Sequence, residues 1–158
     1  MAAIETKDII TFCIAVYGAG LSSFVFYQSL LKDRRRVVIK QSTAFYTYPQ
    51  GLGPPMASIE VINRGHRPVV VSAPQLQLPN KERMVLVNAD GIHEFPKRLE
   101  DGESVAIRMQ YDAIAESLRK AGYSGKVILR PMCSDSTGKT FRGGKWHFDI
   151  STDWWAKI

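Results

Sequence analysis

The chain has 158 residues, of which 45% are hydrophobic and 23% charged, so its length and composition suit one folded domain and exclude two. The formal net charge of +6 is concentrated in a short segment, because residues 32–40 alone contribute +4. A basic protein suggests nucleic acid as a partner, but this segment adjoins the longest apolar run, where Lys and Arg act as topology signals or headgroup contacts. We therefore expect no nucleic-acid partner.

The apolar run covers residues 9–31, follows a short N-terminal tail (residues 1–8) and contains no charged side chain. As an α-helix it would extend roughly 34 Å, enough to cross the hydrocarbon core of a bilayer. Buried helices of soluble proteins rarely run this long without a charge. A cleaved signal peptide would need a basic N-terminal region, a shorter apolar core and small residues at its end, and none of these fits. The sequence predicts one transmembrane helix that stays attached.

Basic residues flank this helix unevenly. Five follow it and only Lys7 and the terminal amine precede it, which predicts an outside N-terminus and a cytoplasmic C-terminal domain. Residues 32–40 form a basic juxtamembrane segment that runs into the first strand. Four of its side chains are candidate contacts for anionic lipid headgroups: Lys32, Arg34, Arg35 and Arg36.

Small side chains recur three or four residues apart along the predicted helix and gather toward one side. Such a stripe permits close approach of a second helix, so we predict packing against another transmembrane subunit. The alternative is that small residues are simply common in membrane helices. The residues of the stripe are Ala15, Gly18, Ala19, Ser22 and Ser23.

After the basic segment, residues 41–151 read as a β domain with short runs of Val, Ile and aromatic residues separated by turn signals. The order of elements fits an immunoglobulin-like sandwich without its disulfide and partner tryptophan, and a small barrel stays open as an alternative. Cys13 and Cys133 are not expected to pair. We predict strands over residues 36–48, 57–62, 68–73, 75–78, 83–87, 93–99, 103–111, 126–133 and 140–150, and a loop over residues 49–55.

A short helix interrupts the strands at residues 112–121, with Asp112 as N-cap and Gly122 as C-cap. The strand before it alternates cleanly, so one of its faces should be buried. A glycine pair, residues 143–144, predicts a bulge in the last strand. The predicted core positions of the alternating strand are Val105, Ile107, Met109 and Tyr111.

No pattern of reactive residues indicates catalysis. Residues 138–140 end like a phosphate-binding loop but lack its first glycine and its helix. The three histidines lie in separate turns or strands, and Cys133 is expected to be a buried, inert thiol. Acidic residues crowd one loop, where they are usually solvated: Glu94, Glu100, Asp101 and Glu103. We predict no enzyme activity, no cofactor, no metal and no small-molecule substrate.

Two aromatic segments are candidate partner contacts. Trp154 and Trp155 lie in the C-terminal tail (residues 152–158), which either folds back on the domain or anchors a partner or the membrane interface. Tyr46 and Tyr48 lie in a loop close to the helix in sequence, and an ordinary strand connection is the alternative there.

Three segments, VINRGHRPVVV, DGESVAIRM and DAIAESLRKAGYSGKVILRP, resemble those of small uncharacterised bacterial single-pass membrane proteins with an immunoglobulin-like domain. The resemblance covers most of the soluble part and implies a fold with no assigned activity. We expect the chain in the inner (cytoplasmic) membrane. We expect a non-catalytic, membrane-anchored interaction protein, an accessory or structural subunit of a larger membrane complex. The alternative is a membrane-bound sensor or effector whose sandwich binds a small ligand or lipid headgroup.

Overall fold

The computed structural model describes residues 6–32 and 35–151, and the chain divides into two compact units, residues 1–34 and residues 35–158. The first unit contains helix α1 (Thr6–Lys32). Within it, Ile9–Ser29 is long and apolar enough to cross a membrane, with a mean hydropathy of 2.0 and no part of its apolar window buried. The helix begins three residues before the predicted span, since nothing in Thr6–Asp8 breaks a helix, and Thr11 Oγ1 donates to Lys7 O at 2.8 Å.

The second unit is mostly antiparallel strand with one short helix. The helix is α2 (Tyr111–Lys120), and a 3₁₀ turn covers Ile92–Glu94. The strands are β1 (Val37–Ala44), β2 (Thr47–Tyr48), β3 (Gly51–Leu52), β4 (Met56–Asn63), β5 (Val69–Val71), β6 (Gln75–Gln77), β7 (Arg83–Val85), β8 (Lys97–Leu99), β9 (Ser104–Gln110), β10 (Lys126–Ser134), β11 (Thr140–Arg142) and β12 (Trp146–Asp149). The predicted combination of an apolar N-terminal helix, a second short helix and a β-rich remainder is confirmed.

The strands form two larger antiparallel sheets and two small ones. One sheet has the order β1-β4-β9, with Ile59 opposite Ile107 and Val61 opposite Val105. In the other, β10 lies between β6 and β11, β7 pairs with β6, and β12 pairs with the first half of β10. The two small sheets are the hairpin β2-β3 and the pair β5-β8.

Both larger sheets and α2 contribute to a single hydrophobic core. Burying one such side chain stabilises the fold by about 1.5–3 kcal/mol relative to leaving it in water. The four core positions predicted on the alternating strand are all buried, which confirms that prediction. The largest fully buried side chains include Ile59, Leu76, Leu99, Ile107, Ile114, Leu118, Leu129 and Phe148.

The ends of α2 differ in how well the sequence predicts them. The helix starts at Tyr111 and its N-cap is Gln110, which makes no side-chain cap hydrogen bond, so the predicted capping role of Asp112 is wrong. Tyr111 is the first residue of the helix, and its ring is buried in the core. At the other end Gly122 adopts φ 83°, and its N–H and that of Tyr123 donate to Arg119 O and Leu118 O. These two bonds form a Schellman motif that ends the helix at the predicted glycine.

Two predicted strands are each four residues shorter than expected at one end. The strand predicted over residues 36–48 ends at Ala44, where its pairing with Met56 of β4 ends, and the chain then turns into the separate hairpin β2-β3. The predicted loop over residues 49–55 therefore contains β3. In the strand predicted over residues 93–99, only Lys97–Leu99 pairs, because Pro96 has no N–H to donate to a ladder.

Candidate functional site

The hairpin β2-β3 projects aromatic and apolar side chains, and we call residues 45–53 the aromatic hairpin. Pro49 and Gln50 form its two-residue turn between the paired residues Tyr48 and Gly51. Gly53 N donates to Tyr46 O at 2.7 Å, which closes the base of the hairpin. A Cβ at Gly53 would lie 2.7 Å from Tyr48 Cε2, so glycine is required for the tyrosine ring to lie against the backbone.

Four large side chains of the aromatic hairpin are exposed: Phe45, Tyr46, Tyr48 and Leu52. Tyr48 exposes 52% of its surface and Leu52 72%. The rings of Tyr46 and Tyr48 have centroids 6.4 Å apart. Single exposed apolar residues are common, whereas four within one short hairpin make it a candidate contact surface.

Tyr46 connects the aromatic hairpin to the rest of the domain. Its hydroxyl donates to Asp90 Oδ2, and Asp90 in turn exchanges backbone hydrogen bonds with Arg108 of β9. The hydrogen bond to Asp90, then partial burial and the charge of Asp90, raise the pKa of Tyr46. Tyr46 is therefore a neutral phenol that orients the hairpin. Phe45, Tyr48 and Leu52 remain as exposed contact groups, and Tyr48 and Leu52 are the most exposed of them.

A cleft of about 290 Å³, which we call the aromatic cleft, opens beside β1 and β12. Thr43 Oγ1 and Tyr111 OH are hydrogen-bonded at 2.8 Å on its wall, and the Trp146 ring stands edge-on to Phe148 with centroids 5.4 Å apart. Hydroxyl and amide groups next to aromatic rings suit binding of an amphipathic molecule. The lining residues are Gln41, Ser42, Thr43, Ser58, Tyr111, Trp146 and His147.

Arg35, one of the predicted headgroup contacts, has a partner within the domain. Its Nη1 donates to Asp135 Oδ2 at 3.2 Å and to Thr137 Oγ1 at 3.1 Å, while its side chain remains 38% exposed. Arg36 is exposed. The side chains of Lys32 and Arg34 lie outside the described part of the chain. Binding of headgroups by these four residues stays a prediction.

The small-residue stripe lies on α1, and all five of its residues are exposed. A Cβ added at Gly18 would meet no atom within 4 Å. A shallow groove on the same helix is lined by Leu21, Ser22, Val25, Phe26 and Ser29. The stripe is available for contact with another helix. The other predicted aromatic contacts, Trp154 and Trp155, lie outside the described residues.

The reactive residue types have ordinary structural partners. Each acidic residue of the loop has a partner within the domain. Three form ion pairs: Glu94 with Lys97, Glu100 with Arg98 and Asp101 with His66. The fourth, Glu103, accepts a hydrogen bond from the backbone N–H of Glu100. Both cysteines are free, and Cys133 is buried. Burial, followed by the charge of Asp135, raises the pKa of the Cys133 thiol to about 12, so it is protonated and unreactive at neutral pH.

Asp135 is a buried charge that is not among the site residues predicted from the sequence. The sequence pattern that indicates its role is the Asp-x-Thr spacing, which is typical of a side chain that accepts the N–H two residues on.

No protein-family model matches this chain, and a search of curated proteins finds no match either. The functions considered below therefore depend on the geometry of the described residues.

Proposed function

We propose that this chain is a non-catalytic, membrane-anchored interaction protein that serves as an accessory or structural subunit of a larger membrane complex. The observation that carries the proposal is the aromatic hairpin, whose four large side chains are exposed on a domain that buries most of its other large apolar side chains in one core. Water disfavours such a surface, so a protein partner that covers it would gain hydrophobic stabilisation.

In this proposal α1 is the anchor. Transfer of the apolar run Ile9–Ser29 from water into hydrocarbon is favourable, and its length matches the bilayer core. The stripe from Ala15 to Ser23 would then contact a helix of the partner complex, because small residues let two backbones approach closely. The hairpin and the stripe are two contact surfaces for the same membrane partner.

The finer features of fold and location belong to the same proposal. We propose that the β domain is an immunoglobulin-like sandwich of the kind found in the bacterial proteins it resembles. The location is the inner (cytoplasmic) membrane, with the N-terminus outside.

Four basic side chains after α1 would contact anionic headgroups: Lys32, Arg34, Arg35 and Arg36. This role predicts that anionic lipids co-purify with the chain. Substitution of Lys32, Arg34 and Arg36 by Gln should lower that lipid content, and an unchanged content in mass spectrometry would refute the headgroup role.

The hairpin is tested by purification of the full chain in mild detergent and quantitative mass spectrometry of the proteins that accompany it. The double variant Tyr48→Ser, Leu52→Ser removes the two most exposed contact groups. We expect stoichiometric membrane proteins with the wild type and at least about a tenfold loss with the variant, which corresponds to about 1.4 kcal/mol of binding free energy.

Val87→Ser is the matched control for the hairpin variant, because Val87 is 70% exposed and lies outside the aromatic hairpin. It should retain the partners at the wild-type level. A wild-type chain that purifies as a clean monomer would exclude the proposed function. Equal loss of partners in the control would show that the hairpin is not a specific contact.

The stripe is tested with two leucine substitutions on α1. Gly18→Leu places a large side chain in the stripe, whereas Gly20→Leu adds the same volume at a position that is rotated by roughly 160° around the helix. Neither new Cβ meets any atom within 4 Å in the chain itself. We expect Gly18→Leu alone to reduce recovery of the partners. Equal recovery with both variants would mean that this face makes no helix contact.

The second candidate function is a membrane-bound sensor or effector, and the aromatic cleft is the observation that favours it. A molecule in that cleft would contact Trp146 directly, so its binding would change the fluorescence of that residue. Native mass spectrometry of the purified full chain tests this function. A small molecule retained at one copy per chain, and lost in Thr43→Trp, would support it; a chain without added mass would exclude it.

A further inference from the structure

A second cleft, which we call the basic cleft, carries positive charge without any acidic residue in its lining. It has a volume of about 290 Å³ and lies where the β6-β7 loop, β10 and the segment after the glycine pair 143–144 meet. Its three charged residues are Lys81, Arg130 and Lys145, and the remaining lining residues are Gln77, Leu78, Pro79 and Ile128.

The three cations of the basic cleft have no carboxylate partner among the described residues, and no acidic side chain lines the cleft with them. Elsewhere Lys97, Arg98 and Lys120 each pair with a glutamate within 3 Å. Three like charges that line one small cleft repel each other, and the attraction of each cation to an anion in the cleft would offset that repulsion. The charge distribution therefore favours an anionic ligand with more than one negative charge.

Lys81 occupies a backbone position that normally favours glycine. It follows a tight turn in the three-residue loop Pro79-Asn80-Lys81, with φ 69°, and its N–H donates to Leu78 O at 3.0 Å. The loop is closed by Leu78 N, which donates to Glu82 O at 2.9 Å. Glycine adopts this left-handed conformation without strain, so a lysine here costs stability. The residue with the strained backbone is therefore also one of the three cations that line the cleft, and such strain is common at binding sites.

Apolar groups line the same cleft as the cations. Ile128 exposes 46% of its surface although it lies within β10, and Pro79 and the buried Leu78 complete the apolar part. A purely ionic ligand such as inorganic phosphate would leave Ile128 and Pro79 in contact with water. A ligand with a charged head and an apolar portion would satisfy both parts of the lining.

We propose that the basic cleft binds the phosphate monoester group of an amphipathic molecule. A phosphate monoester is close to dianionic at neutral pH, and Arg130 can bind two of its oxygens at once while Lys81 and Lys145 act as point charges. Leu78, Pro79 and Ile128 contact the apolar portion. The site is separate from the aromatic hairpin, and it does not depend on whether α1 crosses a membrane.

The experiment uses the full chain in micelles of an uncharged detergent and measures binding by isothermal titration calorimetry. Three probes separate the sources of the phosphate: short-chain phosphatidic acid, short-chain phosphatidylcholine and inorganic phosphate. We expect saturable binding of phosphatidic acid at least tenfold tighter than binding of phosphatidylcholine. Higher salt should weaken it, because ionic screening acts on exposed charges. Inorganic phosphate that binds as tightly as phosphatidic acid would overturn the apolar half of the proposal.

Two variants locate the site. Lys81→Gly removes a cation and also relieves the backbone strain, so the chain should stay folded with an unchanged or higher melting temperature while it binds phosphatidic acid about tenfold more weakly. Arg130→Gln should weaken binding at least as much. The control Lys120→Gln removes one charge from the exposed end of α2, outside the cleft, and should leave binding within about twofold of the wild type.

Two results would overturn the site. The first is no saturable binding of phosphatidic acid by the folded wild type. The second is an equal loss of binding in Lys81→Gly and Lys120→Gln, which would mean that the total charge of the chain, and not the basic cleft, attracts the probe.

Discussion

Asp135 is buried at the start of the β10-β11 turn, and both of its carboxylate oxygens accept hydrogen bonds. Oδ1 accepts from Thr137 Oγ1 at 2.6 Å and from the N–H groups of Thr137 and Lys139 at 2.9 Å, while Oδ2 accepts from Arg35. Burial alone would raise the pKa of Asp135, but these hydrogen bonds outweigh burial and lower it. The carboxylate therefore holds the turn and the first described residue of the domain together.

We expect Asp135→Asn to lower the free energy of unfolding by about 2–4 kcal/mol, because it leaves Arg35 facing an amide and weakens the buried acceptor. Chemical denaturation of the full chain in detergent measures this loss. Asp101→Asn is the control: Asp101 pairs with His66 on the surface, and its loss should cost less than about 1 kcal/mol. Similar losses in both variants would refute the special role of Asp135.

The lowered pKa of Asp135 also predicts how stability depends on pH. A carboxyl group with a lower pKa in the folded state stabilises the fold fully above its ordinary value of 3.8, and this contribution is lost as the pH falls below 3.8 through the folded-state pKa. The wild type should therefore lose stability more steeply than Asp135→Asn between about pH 4 and pH 2. Parallel curves in that range would contradict the assigned pKa shift.

The last two strands show how one element can be split by a bulge. Arg130 and Pro131 of β10 face three residues, Gly143 to Lys145, because the register of β11 differs by one residue from that of β12. Gly143 lies where β1 approaches: a Cβ there would be 2.8 Å from Pro131 Cγ and 3.2 Å from Ile39 O. The bulge predicted at the glycine pair is confirmed by this register change, and it also places Lys145 in the basic cleft.

The two glycines of the bulge make a matched pair of variants. Gly143→Ala should destabilise the chain by about 1–3 kcal/mol, since the proline ring and a backbone carbonyl have little freedom to move. Gly144→Ala should change stability by less than about 0.5 kcal/mol, because its new Cβ meets no atom within 4 Å. Thermal unfolding of both variants measures the difference. Equal effects would show that close packing at Gly143 does not require glycine.

At the scale of the whole molecule, each unit carries an exposed apolar surface: the run Ile9–Ser29 on α1 and the aromatic hairpin on the β domain. Among the residues that the structure describes, the hydrophobic core lies in the β domain. The basic residues that follow α1 predict a topology in which the domain is cytoplasmic. Cysteine labelling can test that topology, because the only native thiol of the domain is buried.

We expect a membrane-impermeant maleimide to label Ala3→Cys in intact spheroplasts, and Ser136→Cys only after the membrane is permeabilised. Both variants also carry Cys13→Ser. Ser136 is exposed, whereas the buried Cys133 thiol, with a pKa of about 12, should not react in the folded chain. Labelling of Ser136→Cys in intact spheroplasts would place the domain outside and refute the proposed topology. The parent chain with Cys13→Ser alone is the control for background reaction.

Local patterns in the sequence predicted much of the fold. The apolar run predicted α1, the alternation in Ser104–Gln110 predicted its buried face, and Gly122 predicted the end of α2. Each of these three predictions depends on residues close together in the sequence, because side chains repeat their direction every two residues in a strand and every 3.6 residues in a helix. The break of the first strand after Ala44 was not predictable in this way, because it depends on where β4 begins.

The sequence by itself determined the apolar helix, the β-rich domain and the basic juxtamembrane segment between them, because these follow from composition and local periodicity. Only the tertiary structure joined Arg35 to Asp135, which are 100 residues apart, and brought Lys81, Arg130 and Lys145 to one cleft. It also separated Tyr46, bound to Asp90, from the exposed Tyr48 two residues away. Contacts between distant residues depend on sheet register and loop closure, which local patterns do not encode.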